Sequence, residues 1–245
     1  MIKILFEFSR NPYSSFGKGQ GETVPGKLDF VKRAVFFCIG SSFVVLIGVI
    51  FLIEMPLKLL LNISVLENLA HNRQAFREST TPVRAVLDIC LVGPFIEEGV
   101  FRLMLLLESR YLQLISVFLL IDTITKFHRF YFSSFQYEVI VVSILVMLFF
   151  YNHISIRSET PVLPKEFYNY ACWFSIITFG LVHIRNFAPI DGSILFLYPF
   201  YVLPQLVYGV VLSYTALKYK SIVWPFLIHA GINSSAEVMR VLTSN

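Results

Sequence analysis

Between Ala34 and Ile53 the chain runs for 20 residues without a charge. At 1.5 Å per residue, about 20 apolar residues cross a hydrocarbon layer about 30 Å thick. A second charge-free run, Ser193–Leu217, has 25 residues. Helices that are apolar all round must be buried, in a large protein core or in lipid. The 245 residues are 56% hydrophobic and only 15% charged. Soluble domains average about 45–50% apolar and about 25% charged. The chain is too apolar to be disordered and too poor in charge to wrap such runs in water. This points to one polytopic membrane domain.

Further apolar segments carry isolated charges. They are Val83–Leu107, Tyr111–Phe127, Glu138–Ser155, Phe167–Ile184 and Ser221–Leu242. Hydropathy therefore predicts an all-α, polytopic transmembrane helix bundle of about seven spans with an intramembrane polar site. Residues 54–82 add a short interfacial helix. Lys3 and Glu7 break the apolar start, so no cleaved signal peptide is expected. Six basic residues (Lys3, Arg10, Lys18, Lys27, Lys32 and Arg33) precede the first run. They place residues 1–30 in the cytoplasm as an N-terminal segment. With seven spans Lys218 and Lys220 also fall inside, whereas Arg129 and Arg185 fall outside. The net charge of +4 comes without a basic, aromatic-rich stripe, so no nucleic-acid partner is expected. Cys38, Cys90 and Cys172 lie in apolar stretches and form no disulfide or zinc pattern.

The segment Gly93-Pro-Phe-Ile-Glu-Glu-Gly-Val-Phe-Arg102 puts three ionisable groups into six residues of an apolar stretch. Each costs roughly 2.5–3.5 kcal/mol at mid-bilayer. One reading is an ion cluster that fixes helix packing. The other is a functional site. Glu98 and Arg102 are i and i+4 and stack on one helix face, where they can pair. Glu97 points about 100° away and must find its partner elsewhere. That makes Glu97 the candidate general base, with Glu98 and Arg102 in support. Later helices carry Phe179-Gly-Leu-Val-His183 and His229-Ala-Gly-Ile-Asn233. Intramembrane ionisable groups are functional by default, and an amide at the His229 spacing can donate to an oxyanion.

These three motifs, in this order and each on its own apolar helix, resemble the CPBP family. That family comprises CAAX-protease and bacteriocin-processing (Abi) intramembrane endopeptidases, including the type II CAAX prenyl endopeptidases. The resemblance covers residues 83–242 and implies a transmembrane protease domain over 31–245. It implies that Glu97 and His183 activate water, that Glu98 and Arg102 orient the site, and that His229 and Asn233 bind the oxyanion. It also implies an integral, multi-pass protein of a bacterial plasma membrane, acting on a peptide or membrane-protein substrate. No cofactor is expected. The stretch between Arg102 and Phe179 is longer than the family's, and Leu103 stands where the family often has Gly. Phe149-Phe-Tyr-Asn-His153 is a rival for the Phe-x-x-x-His motif. His183 is preferred because it is mid-span and follows the Phe-Gly form, whereas His153 sits at a span end near Arg157.

Other assignments rank lower. A site-2 metalloprotease needs His-Glu-x-x-His, which is absent, so Asn186–Gly192 is a loop turn. Zinc on His183, His229 and a glutamate is the minority mechanism. Ser234 and Ser235 lack the context of a serine nucleophile. Asp122 and Lys126 neutralise each other at i,i+4, and Trp173 is an interfacial anchor. Glu237 is either a pathway residue or a helix-end group facing headgroups. A non-catalytic immunity or scaffold protein of the same fold is the alternative from a different class. A degenerate scaffold should have lost site residues, and none of Glu97, His183, His229 and Asn233 is lost.

Overall fold

The computed structural model describes residues 1–106, 110–125, 134–154 and 165–243. Among these residues there is no strand. The helices are α1 (Ile2–Arg10), α2 (Val24–Val49), α3 (Met55–Leu61), α4 (Val65–Glu78), α5 (Pro82–Leu87) and α6 (Gly93–Arg102). They continue with α7 (Arg110–Thr125), α8 (Ser134–Ile154), α9 (Lys165–Val182), α10 (Tyr198–Tyr201), α11 (Leu203–Tyr219) and α12 (Val223–Thr243).

Local chemistry sets several boundaries. The Thr23, Ser64 and Thr81 hydroxyls accept backbone N–H groups and cap α2, α4 and α5. Two π-helical turns, Ile50–Glu54 and Asp88–Val92, each end two residues before a proline, Pro56 and Pro94. Proline lacks an N–H and crowds the carbonyl four residues back, and the wider turn relieves this. Gly93 follows the second π turn, where an added Cβ would lie 2.8 Å from the Asp88 carbonyl oxygen.

Among the described residues, two helical stretches are long and apolar enough to cross a bilayer: Val24–Leu61, 38 residues through the first π turn, and Phe167–Phe187, 21 residues. A third results if Gly192–Tyr201 and Leu203–Tyr219, bent by 42°, count as one span. The chain is an integral membrane protein; of the seven expected spans, Tyr111–Phe127 and Glu138–Ser155 lie partly outside the described residues. One expected span, Val83–Leu107, is not a single regular helix. This stretch is divided among α5, a π turn, the ten residues of α6 and a 3-10 turn, Leu103–Leu105. Ser221–Leu242 is continuous as α12 but carries charges.

Helix α11 packs against α2, α9 and α12, and α6 is held by α7, α8, α9 and α12. Their main core includes Ala34, Val100, Leu145, Phe179, Leu212 and Ile228. The N-terminal segment joins that core. Leu5 and Phe8 are buried, with Phe8 edge-on to Tyr214 at 5.5 Å. Gly17 and Gly19 N–H groups bond the Leu217 and Lys218 carbonyls, both at 2.9 Å. Trp173, expected as an interfacial anchor, donates to the Ser9 carbonyl. Glu22 pairs with Lys218 at 2.8 Å and accepts from the Tyr219 hydroxyl at 2.9 Å. Burial opposes ionisation of Glu22. The Lys218 and Tyr219 hydrogen bonds and the Lys218 and Lys27 charges outweigh it and hold its carboxyl below the usual range.

A second, smaller core gathers Val49, Val65, Phe187, Tyr198 and Tyr201. Buried Glu54 ties it together. Its carboxylate accepts from the Ser64 hydroxyl (2.6 Å), the Leu66 N–H (3.1 Å) and the Tyr201 hydroxyl (2.5 Å). This fixes the start of α4 against the 192–201 segment, and α4 becomes one wall of a cleft.

Candidate active site

The cleft, of about 780 Å³, lies between α4, α6, the end of α9 and α12. Glu97, His183, His229 and Asn233 all line it. Glu98 and Arg102 stand behind it, fully buried. Helical phase produces this division. Glu97 faces the cavity with its side chain 31% exposed, and the next residue faces inward.

The two imidazoles are oriented by groups that can only accept. His183 Nδ1 lies 2.7 Å from the Phe179 carbonyl oxygen, one helical turn back. His229 Nδ1 lies 2.9 Å from Glu98 Oε1. Neither a carbonyl nor a carboxylate can donate, so Nδ1–H supplies each bond. Both Nε2 atoms are thereby turned toward Glu97. Each stands 3.7 Å from Glu97 Oε2. That oxygen is buried without a hydrogen-bond partner. Three basic atoms therefore converge on a space wide enough for a small polar group.

Arg102 Nε approaches Glu98 Oε2 at 3.5 Å, and both side chains are fully buried. None of the guanidinium nitrogens completes a hydrogen bond. The ring of Phe179 lies against the guanidinium, with Arg102 Cζ 4.0 Å from the centroid, and the Phe101 ring is farther off at 5.6 Å. A cation over an aromatic face is attracted to the ring's negative quadrupole. The same ring meets His183 at 4.9 Å and His229 at 5.9 Å, both edge-on. Phe179 is thus the hub of the site. Its place four residues before His183 was legible, but its contacts with Arg102 and His229 were not. Gly180 makes room here, since a Cβ would lie 2.3 Å from Leu206 Cδ2 on α11. Asn233 donates its side-chain amide to the Ile89 carbonyl at 2.9 Å, in the second π turn.

Glu237 is buried at the cleft mouth. Arg77 grips it with two hydrogen bonds, 2.7 and 2.5 Å, and Arg240 adds two more, 3.0 and 2.8 Å. It therefore does not face headgroups. The α4 residues of the cleft, Arg73 and Arg77 among them, have no signal in the sequence beyond a polar stretch. Of Asn186–Gly192, Asn186 and Phe187 end one 3-10 turn, Gly192 begins the next, and residues 188–191 form the loop between them. Lys126, Arg129, Arg157 and the side chain of His153 lie outside the described residues. Among the described residues no group of three or more His, Cys, Asp or Glu side chains is arranged to hold a metal ion.

A family model described as "Type II CAAX prenyl endopeptidase Rce1-like" matches residues 79–235, more than half of the chain. The chain belongs to this Rce1-like family. Neither the curated proteins nor the solved structures contain a match. The Rce1-like region runs from just before α5 into α12 and includes all six residues singled out in the sequence. Helix α4 ends at Glu78, one residue before the match begins.

Proposed function

We propose that the chain is an intramembrane endopeptidase that hydrolyses a peptide bond with a water activated by Glu97 and His183. The observation that carries this is the convergence of Glu97 Oε2 with both imidazole Nε2 atoms at 3.7 Å. A water between them can give a proton to Glu97 while His183 orients it, and its oxygen can attack a carbonyl carbon. The proton then passes from Glu97 to the leaving amine. Charge develops on the carbonyl oxygen. His229, protonated at Nε2 and backed by Glu98, would donate to it together with the second amide hydrogen of Asn233. Arg102 offsets the Glu98 charge from behind the site.

The test is cleavage of a peptide library by the purified chain and by Glu97→Gln, read by mass spectrometry. Glu97→Gln keeps the shape and removes the base, so cleavage should fall at least about a hundredfold. Near-normal cleavage by that variant would reject the assignment. A non-catalytic scaffold would cleave nothing in either form.

The cleft is expected to open away from the cytoplasm. Supporting this, the basic N-terminal segment packs beside Lys218 and Lys27 lies over Trp224 at the start of α12, while the cleft mouth holds Arg240 near the other end. The three native cysteines are buried, so labelling of introduced cysteines is readable. On intact cells an impermeant maleimide should label Gln74→Cys and spare Lys32→Cys. The opposite pattern would invert the orientation.

A second arrangement has one observation in its favour. Two imidazoles with Nδ1 tied to acceptors and Nε2 free are oriented as metal-ligating histidines are. The chelation experiment below separates it from the glutamate mechanism.

A further inference from the structure

Arg73 stands on α4 in the wall of the cleft that also holds Glu97, His183 and His229. The mouth carries three guanidinium groups, from Arg73, Arg77 and Arg240. Arg77 and Arg240 are both engaged by the one carboxylate of Glu237. The cleft's other carboxylates are also taken. Asp88 pairs with Arg84 at 3.4 Å, and Glu97 faces the two imidazoles. No hydrogen bond or ion pair joins Arg73 to any described residue, and its side chain is exposed. One cation is thus left over among the charged groups of the cleft.

We propose that Arg73 receives a carboxylate of the peptide that enters the cleft and so determines which peptides bind productively. This rests on the reading of the cleft as a peptide site. A guanidinium presents two parallel N–H donors that match a carboxylate. Arg77 already shows that geometry on Glu237, one helical turn along the same helix. The matching segment of the family starts at residue 79, so Arg73 belongs to a part of the chain outside it. The selectivity is therefore a property of this chain's own α4, added to the machinery on α6, α9 and α12. The carboxylate has two possible sources, the peptide's C-terminus or an acidic side chain.

The experiment uses the full-length chain carrying Glu97→Gln in detergent, with three fluorescent peptides of one apolar sequence. The first ends in a free carboxylate, the second in an amide, and the third in an amide preceded by glutamate. Binding is read by anisotropy. At least one carboxylate peptide should bind about tenfold tighter than the plain amide, which corresponds to about 1.4 kcal/mol. Whichever peptide gains identifies the source. Adding Arg73→Gln should erase the gain and Arg73→Lys should keep part of it. Arg33→Gln, at an exposed site outside the cleft, should keep it in full. Equal binding of all three peptides, including none at all, overturns the proposal, and so does a preference that survives Arg73→Gln. Hydrolysis by the chain with Glu97 intact is assayed in parallel. An Arg73-dependent preference without hydrolysis rejects the protease reading alone, and hydrolysis without the preference rejects the role of Arg73 alone.

Discussion

Glu98 Oε1 stands 2.9 Å from Nδ1 of His229, and both side chains are buried. The bond joins α6 to α12 and fixes which nitrogen of His229 meets the cleft. Glu98→Gln replaces a pure acceptor by a group that can also donate. The imidazole can then turn or adopt the other tautomer. Turnover should fall by about a hundredfold or more with little change in substrate binding. A variant that keeps full turnover would show that His229 needs no orienting partner.

Arg102 should act on stability as well as on turnover. Its charge is opposed chiefly by Glu98, at 3.5 Å, with the face of Phe179 at 4.0 Å and the ring of Phe101 at 5.6 Å. Arg102→Met keeps the volume and takes the cation from the buried Glu98 carboxylate, leaving it only the His229 bond, a loss of roughly 3–5 kcal/mol. Adding Glu98→Gln should recover most of that loss, because an apolar and amide pair carries no charge to bury. Thermal melts of the two variants in one detergent decide it. If Arg102→Met melts like the wild type, Arg102 is not what holds Glu98 in place.

Much of the site was legible because it depends on positions along single helices. The phase difference that exposes Glu97 and buries Glu98 follows from 100° per residue. The spacing of Glu98 and Arg102 gave their pairing, and that of His229 and Asn233 their shared face. What one helix does to another was not legible. The Glu98–His229 bond links residues 131 apart, and no periodicity reports which faces meet. The placement of Phe179 under Arg102 has the same origin. Helix α4 was visible only as a polar stretch, so Arg73 and Arg77 gave no hint that they wall a cleft. The helix breaks inside one expected span were hidden for a related reason. Hydropathy counts apolar residues between Val83 and Leu107 but does not register that α6 ends after ten of them. The π turns had a local sign in Pro56 and Pro94.

The N-terminal segment should be held by a pH-sensitive clasp at Glu22. The carboxyl of Glu22 is held below its usual range by Lys218 and Tyr219. A lowered folded-state value means the clasp stabilises the docked segment above the free carboxyl value, about 4.3. That contribution is lost as pH falls through the lower, folded value. Limited proteolysis at Lys18 reports docking. Cleavage at neutral pH should be slow in the wild type and faster in Glu22→Gln, and an acid-stable protease should nick the wild type more readily below about pH 4. Equal nicking of both forms at every pH would place the hold elsewhere, in Leu5, Phe8 and the Gly17 and Gly19 hydrogen bonds.

Chelation separates the glutamate mechanism from the metal one. In the glutamate mechanism Glu97 takes the proton, and His229 with Asn233 stabilises the oxyanion, so every role has a residue. In the metal mechanism His183 Nε2, His229 Nε2 and Glu97 would be the three ligands of a zinc ion with an open fourth position. Glu97 would then be lost as the base. The remaining carboxylates at hand are engaged: Glu98 by His229 and Arg102, Asp88 by Arg84, and Glu237 by Arg77 and Arg240. Ligands about 2.0–2.2 Å from a tetrahedral zinc stand about 3.3–3.6 Å from one another, close to the 3.7 Å separations here, so the missing base and not the spacing disfavours the metal. Purified chain stripped with a strong chelator should therefore keep its peptide cleavage within about twofold, and added zinc should not raise it. Bound metal is measured on the same samples. Cleavage lost on stripping and restored by one equivalent of zinc would transfer water activation from Glu97 to the metal.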